Sequence, residues 1–282
     1  MVDTRTPPAR QMDITRPAAA RIYDAFLGGG HNFGVERSFA ERIEQELPGI
    51  GAVYQENRAF LRRTVEFLLA RGVRQFLDLG SGTPTIGHLH EVACRRTRDF
   101  RVLYVDNEPL TVAHSKPLLA GEPRADILRA DCRDPASVLL APETQDLLDL
   151  NEPVGLLMTS VLHFVPDSDD PLGLVEAYRD ALVPGSYLVV SHLTGTRAPD
   201  AARTLTDFYA ETSDPLHPRE TSWIDKLFGD FEVLPPGATY LADWRPDPGQ
   251  PTSATNRYHL LYGGVARKSG DTGIPVQSVN GG

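Results

Sequence analysis

From residue 73 onward, short apolar runs alternate with segments whose apolar residues recur at helical spacing, a pattern that few folds can accommodate. The runs predict five β-strands, at 74–79, 101–106, 125–130, 153–159 and 186–192. Helices are predicted between them, at 84–97, 108–119, 134–149 and 171–182. Such alternation produces right-handed βαβ crossovers, which make the strands parallel and place helices on both faces of the sheet. The sequence therefore predicts an α/β fold with a mostly parallel sheet.

The chain on either side of this alternation has a different pattern. Between residues 17 and 71 the apolar spacing predicts three helices before the first strand, with breaks at glycines 28–30 and at Pro48-Gly49. After residue 192 the predicted elements are less regular: helices near 199–210 and 219–228, and strands at 231–234 and 257–266. The last strand would add an antiparallel edge, which brings the predicted sheet to seven strands.

These patterns divide the 282 residues into four segments. Residues 17–72 would form an N-terminal helical lid, and residues 73–267 the main domain. The segments 1–16 and 268–282 are rich in proline, glycine or polar residues and have too few apolar side chains to bury. Both are expected to be extended or disordered tails.

The charge balance limits the kinds of partner. The net charge is −10 and the pI is near 5.3, so no broad basic surface is available to attract a nucleic acid or an anionic membrane. No apolar run reaches the roughly 20 residues needed to cross a bilayer, and no signal peptide is recognisable, so we expect a soluble, cytoplasmic protein. The cysteines, Cys94 and Cys132, form no CxxC motif, and a disulfide is not expected.

The stretch "RQFLDLGSGTPTIGHLHE", residues 74–91, contains a glycine turn of the kind that receives a nucleotide. A phosphate-binding loop requires a lysine directly after its last glycine, yet the first lysine beyond Gly82 is Lys116. A dinucleotide fingerprint requires a third glycine, and Thr85 stands at that position. The turn therefore excludes a triphosphate and argues against a diphosphate.

Three consecutive predicted strands end in an acid, at Asp78, Asp106 and Asp131. The carboxyl ends of parallel strands meet at one edge of the sheet, where ligands bind. From the second position a carboxylate can accept hydrogen bonds from both ribose hydroxyls, and Asp131 with Cys132 is placed to contact an adenine edge. A nucleoside site without pyrophosphate chemistry indicates S-adenosylmethionine.

Several motifs strengthen this interpretation. "FLDLGSG", "VLYVDNEP", "ADCRDP" and "LVPGSYLVVSH" resemble the successive motifs of class I S-adenosylmethionine-dependent methyltransferases over residues 73–192. Together with "RIYDAFLGGGHNF", "ENRAFLRR" and "VLHFVPD", they resemble a bacterial family of S-adenosyl methyltransferases without an assigned substrate, over residues 20–195. The resemblance implies a Rossmann-like fold and S-adenosyl-L-methionine as the cofactor. It implies no substrate.

The residues expected at the cofactor site follow from the turn, the acids and the resemblance. They are Tyr23, Asp78, Gly80, Ser81, Gly82, Asp106, Asn107, Asp131, Cys132 and Ser160. The chemically active positions also have structural alternatives: Asp78 can cap the glycine turn, and Asp106 and Asp131 can cap the helices that follow them. Cys132 can be a small apolar filler instead of a reactive thiol.

The stretch "VGLLMTSVLHFVPDSDDP" places Ser160 and His163 after the fourth strand, at the same sheet edge. Methyl transfer gains mostly from alignment and the exclusion of water, and a base helps only if the acceptor carries an acidic O–H or N–H. His163 is the candidate catalytic base, since an imidazole titrates at about pH 6.5. Alternatively, it packs in a turn with its ring bonded to the backbone. The acidic run 167–170 reads as a solvated loop and helix cap, so no metal is expected.

The stretch "RIYDAFLGGGHNF" predicts a short helix that ends in three glycines. These glycines could form a flexible joint that lets the helix close over the cofactor, with Tyr23 facing the sulfonium or the carboxylate of the donor. His31 and Asn32 could join this lid. The alternative is a helix C-cap and a structural Tyr23. The resemblance implies the lid, since methyltransferases of this fold commonly close the site with N-terminal helices.

Two classes of function remain open at this point. The first is an enzyme that methylates a small molecule, such as a secondary metabolite; the Asn/Asp-Pro-Pro-Tyr motif of many nucleic-acid methyltransferases is absent from the sequence. The second is a binding protein that senses S-adenosylmethionine or S-adenosylhomocysteine without turnover. The sequence does not indicate an oligomeric state.

Overall fold

A computed structural model describes residues 12–83, 87–249 and 257–270, and the described strands form one sheet. The strands are β1 Gln75–Leu79, β2 Arg101–Asp106, β3 Ala125–Arg129, β4 Val154–Thr159, β5 Tyr187–Leu193, β6 Glu232–Val233, β7 Thr239–Tyr240 and β8 Leu261–Arg267. The sheet order is β3-β2-β1-β4-β5-β8-β6, with β7 paired to β8. The predicted α/β fold with a mostly parallel sheet is confirmed.

The first five strands are parallel and run in an order that reverses beside β1. The chain moves from β1 outward to β2 and β3, then returns to place β4 and β5 on the other side of β1. A crevice opens outside the carboxyl ends of the strands at such a reversal, and this is where ligands bind in open α/β sheets.

The described sheet has eight strands where seven were predicted, and the additional strand is in the antiparallel edge. Strand β8 pairs antiparallel with β5, β6 and β7. Strand β7 is only two residues long, and such a short pairing leaves no alternation of apolar and polar residues from which it could be predicted.

The described helices agree with the predicted order and differ in their limits. They are α1 Ala19–Phe26, α2 Gly34–Glu46, α3 Gly51–Leu69, α4 Leu89–Cys94, α5 Pro109–Leu119, α6 Pro135–Leu139, α7 Pro142–Leu147, α8 Pro171–Ala181, α9 Pro199–Tyr209 and α10 Thr221–Ile224. The helix predicted at 134–149 is two helices, because Pro142 forces Ala141 into an extended conformation and starts a new helix. Residues 84–86 of the helix predicted at 84–97 lie outside the described residues. The helix predicted at 219–228 ends early and continues as a 3-10 turn, Asp225–Phe228.

The N-terminal helices share one hydrophobic core with the sheet. Ile22 of α1, Ile43 of α2 and Phe60 of α3 belong to the same buried cluster as Phe76 and Val102 of the strands. Helix α3 packs so closely on the sheet that a Cβ at Gly155 would lie 3.1 Å from Leu68 Cδ1. A second cluster covers the opposite face. The helical segment proposed as a lid is therefore continuous with the main core.

The described parts of the two predicted tails are bonded to the rest of the protein. Arg16 donates to the carbonyl of Thr212 at 2.9 Å, and the backbone of Lys268 donates to Ser186 at 2.8 Å. The remainder of each tail, residues 1–11 and 271–282, lies outside the described residues. None of the helices that the structure describes has the length and apolar character required to cross a membrane.

Candidate active site

The glycine turn after β1 packs against the ends of two neighbouring strands. Gly80 and Gly82 both have positive φ, 67° and 65°, which favours glycine. The amides of Gly80 and Ser81 donate to the carbonyl of Val105 at the end of β2, at 2.8 and 3.1 Å. A Cβ on Gly80 would lie 2.2 Å from Val161 Cγ2, so the turn also contacts the segment after β4. The turn thus brings the ends of β1, β2 and β4 together.

Asp106 is fixed at the end of β2 by two backbone amides. Its Oδ2 accepts from Gly82 N and its Oδ1 from Glu108 N, each at 2.9 Å. The carboxylate therefore ties the glycine turn to Glu108, and Glu108 rather than Asp106 is the cap of the helix that follows. Asp106 also lines the cavity at the sheet edge.

Asp131 and Cys132 lie after β3, on the same side of the sheet. Asp131 pairs with Arg133 at 2.7 Å and accepts from Asn107 Nδ2 at 3.3 Å. Burial, with the nearby charge of Asp131, raises the pKa of the Cys132 thiol to about 12. A thiol with so high a pKa is not a nucleophile at neutral pH, so Cys132 can contribute only shape and apolar contact.

A single cavity of about 580 Å³ lies over these strand ends, within the size range of small-molecule sites. Of the residues predicted from the sequence, it is lined by Tyr23, Gly80, Ser81, Gly82, Asp106, Asn107, Asp131, Cys132, Ser160 and His163. The structure therefore brings together nearly the whole predicted set.

Asp78 is the predicted cofactor residue that does not line the cavity. Its side chain is buried at the end of β1, beneath the glycine turn. Burial raises the pKa of Asp78 to about 7, the charge of Arg58 opposes this rise, and the charge of Asp106 adds to it. This position fits the alternative of a residue that supports the turn, and a direct contact between Asp78 and the cofactor stays a prediction.

Arg58 on α3 lines the cavity and was not predicted from the sequence. Its Nε is buried without a hydrogen-bond partner among the described residues, and the guanidinium lies 5.4 Å from the centre of the Tyr23 ring. Within the part of the chain that the structure describes, no carboxylate forms an ion pair with it. A guanidinium that faces a cavity without a carboxylate is suited to an anionic ligand group.

A chain of hydrogen bonds connects the sheet edge to α1. Ser160 N donates to Ser191 Oγ at 2.9 Å, and Ser191 Oγ donates to Asn57 Oδ1 at 2.6 Å. Asn57 Nδ2 donates to Tyr23 Oη at 3.0 Å, and Tyr23 Oη donates to the carbonyl of Tyr54 at 3.1 Å. Ser160 has φ of 54°, an uncommon value for a residue with a side chain. These hydrogen bonds fix the position of the Tyr23 hydroxyl relative to Ser160. Asn57 and Ser191 were not predicted as site residues, although both lie in motifs that carry the family resemblance.

His163 is held in a 3-10 turn, Leu162–Phe164, with its ring against β5. Its Nδ1 accepts the backbone N–H of Leu193 at 3.2 Å, so the neutral ring carries its proton on Nε2. Burial is the main reason why the pKa of His163 lies well below its ordinary value, and the nearby positive charge of Arg219 acts in the same direction. Since the lone pair of Nδ1 is already occupied and Nε2 is protonated, this geometry favours a hydrogen-bond donor over the catalytic base that the sequence suggested.

The glycine segment after α1 forms a tight corner. The carboxylate of Asp24 accepts from His31 N and Asn32 Nδ2, both at 2.8 Å. A Cβ on Gly29 would lie only 2.0 Å from Asp24 Oδ1. Glycine is therefore needed here for close approach, and these bonds indicate a fixed corner where the sequence suggested a flexible joint.

A buried ion triad fastens α1 beside the cavity. Arg21, only 1% exposed, pairs with Glu36 of α2 at 2.8 Å and with Glu108 at 2.9 Å. Glu108 also caps α5 by accepting from Thr111 N, and its own amide donates to Asp106. Helix α1 is thus bonded to Glu108, which is bonded in turn to Asp106 at the end of β2. The pattern of apolar residues cannot reveal such a triad, because all three residues read as exposed charges.

The acidic run 167–170 has separate partners within the described structure. Asp167 pairs with Arg219 at 2.7 Å, and Asp169 pairs with Arg133 at 2.8 Å. Asp170 accepts from Gly173 N as the cap of α8. These carboxylates act as the loop and cap residues expected from the sequence.

The fold and the cavity define a class of protein. A parallel sheet with a reversal beside β1, a glycine turn after β1 and an acid after β2 around one cavity are the features of a class I S-adenosylmethionine-dependent methyltransferase. The family model for S-adenosyl methyltransferases matches residues 5–269. The chain belongs to the S-adenosyl methyltransferase family, and its cofactor is S-adenosyl-L-methionine.

Solved structures show the same relationship. A Thermobifida fusca YX protein, provisionally described as a methyltransferase, is 38% identical over 92% of this chain and 97% of that chain, with a TM-score of 0.84. A DUF574-family protein from Streptomyces avermitilis is 36% identical over 92% of this chain and 100% of that chain, with a TM-score of 0.85. The plantazolicin methyltransferase BpumL, solved with S-adenosylhomocysteine, shares the fold at 10% identity, with 89% and 96% covered and a TM-score of 0.51. A comparison with curated proteins gives no match.

The residues of the cavity fit this cofactor. The backbone of Gly80 leaves no room for a side chain, Asp106 places a carboxylate after the second strand, and Arg58 has a buried Nε with no described partner. A nucleoside with an amino-acid end needs these three features: a close backbone, an acceptor for hydroxyls and a cation for its carboxylate.

Proposed function

We propose that this methyltransferase acts on a small-molecule acceptor. The observation that carries the proposal is the closure of the cavity by α1. Asp214, in the loop after α9, accepts from Ala19 N at 2.8 Å, and the Arg21 triad fastens the same helix from the other side. A cavity of about 580 Å³ beside a helix fixed in this way has room for a donor and a small acceptor.

Each end of the cavity has a separate role in this proposal. The backbone of residues 80–82 and Asp106 hold the nucleoside, with Asp106 accepting from the ribose hydroxyls and Asp131 and Cys132 beside the adenine. Arg58 and Tyr23 hold the amino-acid end. The acceptor occupies the remaining, apolar part of the cavity.

The chain contributes binding and alignment more than chemistry. When bound, S-adenosyl-L-methionine supplies an electrophilic methyl group on a positively charged sulfur. The fixed position of His163 orients the acceptor, and the covering helix excludes water from the transferring group. The net charge of −10 disfavours a nucleic-acid acceptor.

The proposal is tested by following a labelled methyl group. Purified protein is incubated with methyl-labelled S-adenosylmethionine and a bacterial extract that has been separated into small-molecule, protein and nucleic-acid fractions. We expect enzyme-dependent label in the small-molecule fraction, and much less with the Asp106→Ala variant. Label that enters protein or nucleic acid instead would contradict a small-molecule acceptor.

A further inference from the structure

His163 lies where the polar and apolar parts of the cavity meet. Val161, two residues before it, contacts the glycine turn at Gly80, so this segment adjoins the donor end. On the other side, the ring of Phe164 lies 4.5 Å from the ring of His163. The apolar part beyond it is lined by Phe164, Leu193, Leu205, Tyr209 and Leu216. Whatever occupies the apolar part therefore lies within reach of the His163 ring.

Two hydrogen bonds hold His163 in place, one to its ring and one to its backbone carbonyl. Leu193 N donates to Nδ1 at 3.2 Å, and the carbonyl of His163 accepts from His217 N at 2.8 Å. His163 lines the cavity, and no described protein group bonds its Nε2. The group left for a ligand is thus an N–H, not a lone pair.

The charges around His163 favour a negative partner. The ring of His192 lies 5.6 Å from the ring of His163. Its Nε2 accepts from Arg219 at 3.1 Å and its Nδ1 donates to the carbonyl of Leu193. With one nitrogen accepting and the other donating, His192 is neutral. Arg219 is positive, and the carboxylate nearest to it, Asp167, is already paired with it. His217 also lines the cavity. Among the described groups packed on His163, none is an unpaired carboxylate that could stabilise an imidazolium.

We propose that His163 donates its Nε2–H to an oxyanion of the methyl acceptor, and that the acceptor is a carboxylate or an acidic phenol carried on an apolar, ring-sized body. This inference rests on the proposed function and names its substrate class. The acceptor oxygen arrives already ionised. It forms the new O–C bond while the C–S bond of the donor breaks, the electron pair stays on sulfur, and no proton has to be removed. The product is a methyl ester or ether.

The first test is the tautomer of His163, which needs no turnover. Nitrogen-15 NMR of ring-labelled histidine, with the His163 signals assigned from their loss in His163→Gln, reports which nitrogen carries the proton. We expect Nε2–H and a neutral ring throughout about pH 5.5 to 7.5, which is about one pH unit to either side of the ordinary imidazole pKa. An Nδ1–H tautomer, or a ring that titrates at about pH 6.5, would overturn the proposal.

The second test is binding of ring-sized probes to protein saturated with S-adenosylhomocysteine. Benzoate, 1-naphthoate and 4-nitrophenolate are compared with benzylamine and benzyl alcohol. We expect the oxyanions to bind best. His163→Phe, which keeps a ring but has no donor, should weaken their binding about 10- to 100-fold, the scale for a hydrogen bond to a charged group. His163→Gln, which keeps an N–H, should restore most of it.

Several outcomes separate this inference from the proposed function. Preferential binding of benzylamine, equal loss in the Gln and Phe variants, or no binding by any oxyanion probe would overturn the oxyanion acceptor, even with S-adenosylhomocysteine bound. A methyl-transfer rate that rises with pH, with a rise that disappears in His217→Gln, would also overturn the oxyanion acceptor, because His217 would then act as a base. Failure to bind S-adenosylhomocysteine would instead overturn the proposed function itself.

Discussion

Arg58 is a cavity residue that was not predicted from the sequence and that adds a positive charge to the site. In a chain with 38 acidic and 28 basic residues, it faces the cavity without an ion pair to any described carboxylate. Its charge instead lowers the pKa of the buried Asp78 and lies over the ring of Tyr23. The carboxylate of the donor would supply the missing negative charge.

Replacing Arg58 should affect only ligands that carry a carboxylate. Arg58→Met is expected to weaken S-adenosylhomocysteine by about 1.5 to 3 kcal/mol, the scale of a hydrogen bond to a charged group. Its affinity for 5′-methylthioadenosine, which lacks the amino-acid end, should be unchanged. Calorimetric titration measures both.

The matched control for this comparison is on the same helix. Arg62 lies one turn further along α3 and is already bonded to Glu66 and Asp247. Arg62→Met should leave both affinities unchanged. Equal weakening of both ligands by Arg58→Met would show that Arg58 supports the fold of the cavity and does not bind the carboxylate.

For single residues, the sequence predicts the position of a site residue when that residue lies at the end of a predicted strand. Asp106, Asp131 and Gly80 could be placed because the carboxyl ends of parallel strands converge. The role of His163 could not be predicted, since it depends on which ring nitrogen meets Leu193 N, a contact 30 residues distant in the chain. Arg58 lies in the motif "ENRAFLRR" but was not predicted as a site residue, because an arginine on a helix is usually solvated.

Helix α1 and the corner after it are the elements that close the site. The corner is bonded to Asp24, and α1 is bonded to α2, to Glu108 and to the loop at Asp214. A helix fastened in so many places keeps Tyr23 in position before any ligand binds. We therefore expect α1 to cover the site before any ligand binds.

Adjacent glycines in the corner provide a sharp comparison. Gly29→Ala would place a methyl group 2.0 Å from Asp24 Oδ1 and force the carboxylate off two N–H groups. We expect a loss of about 1 to 3 kcal/mol in the free energy of unfolding, the cost of unsatisfied buried polar groups, together with weaker binding of S-adenosylhomocysteine. Urea unfolding and calorimetry measure these effects.

Gly30→Ala is the control, because a Cβ there meets nothing within 4 Å. It should change the free energy of unfolding by less than about 1 kcal/mol. If both variants behave alike, the contact between Asp24 and Gly29 does not hold the corner.

The order of the elements was predictable because their apolar periodicity is strong, but some of their limits were not. The helix breaks at Pro142 because the residue before a proline is disfavoured in helical conformation, and the long amphipathic pattern obscured this break. Strand β7 depends on pairing with β8, and its two residues carry no periodic signal of their own.

At the scale of the whole molecule, the N-terminal helices and the sheet act as one unit. Their apolar side chains form a common cluster, and the cavity lies between α1, α3 and the strand ends. The break in periodicity at residue 73 suggested a separate lid, but the N-terminal helices have no hydrophobic core of their own. This packing could not be predicted, because contacts between two segments leave no pattern in the sequence of either one.

The cavity at the strand ends is proposed as the site for S-adenosylmethionine. The most direct measurement is calorimetric titration of the full chain with S-adenosylhomocysteine, NAD and ATP, together with the Asp106→Ala variant. We expect one S-adenosylhomocysteine per chain, bound more tightly than either nucleotide, and a loss of about 1.5 to 3 kcal/mol in its binding free energy in the variant. Tighter binding of NAD or ATP, or an affinity for S-adenosylhomocysteine that Asp106→Ala leaves unchanged, would contradict this proposal.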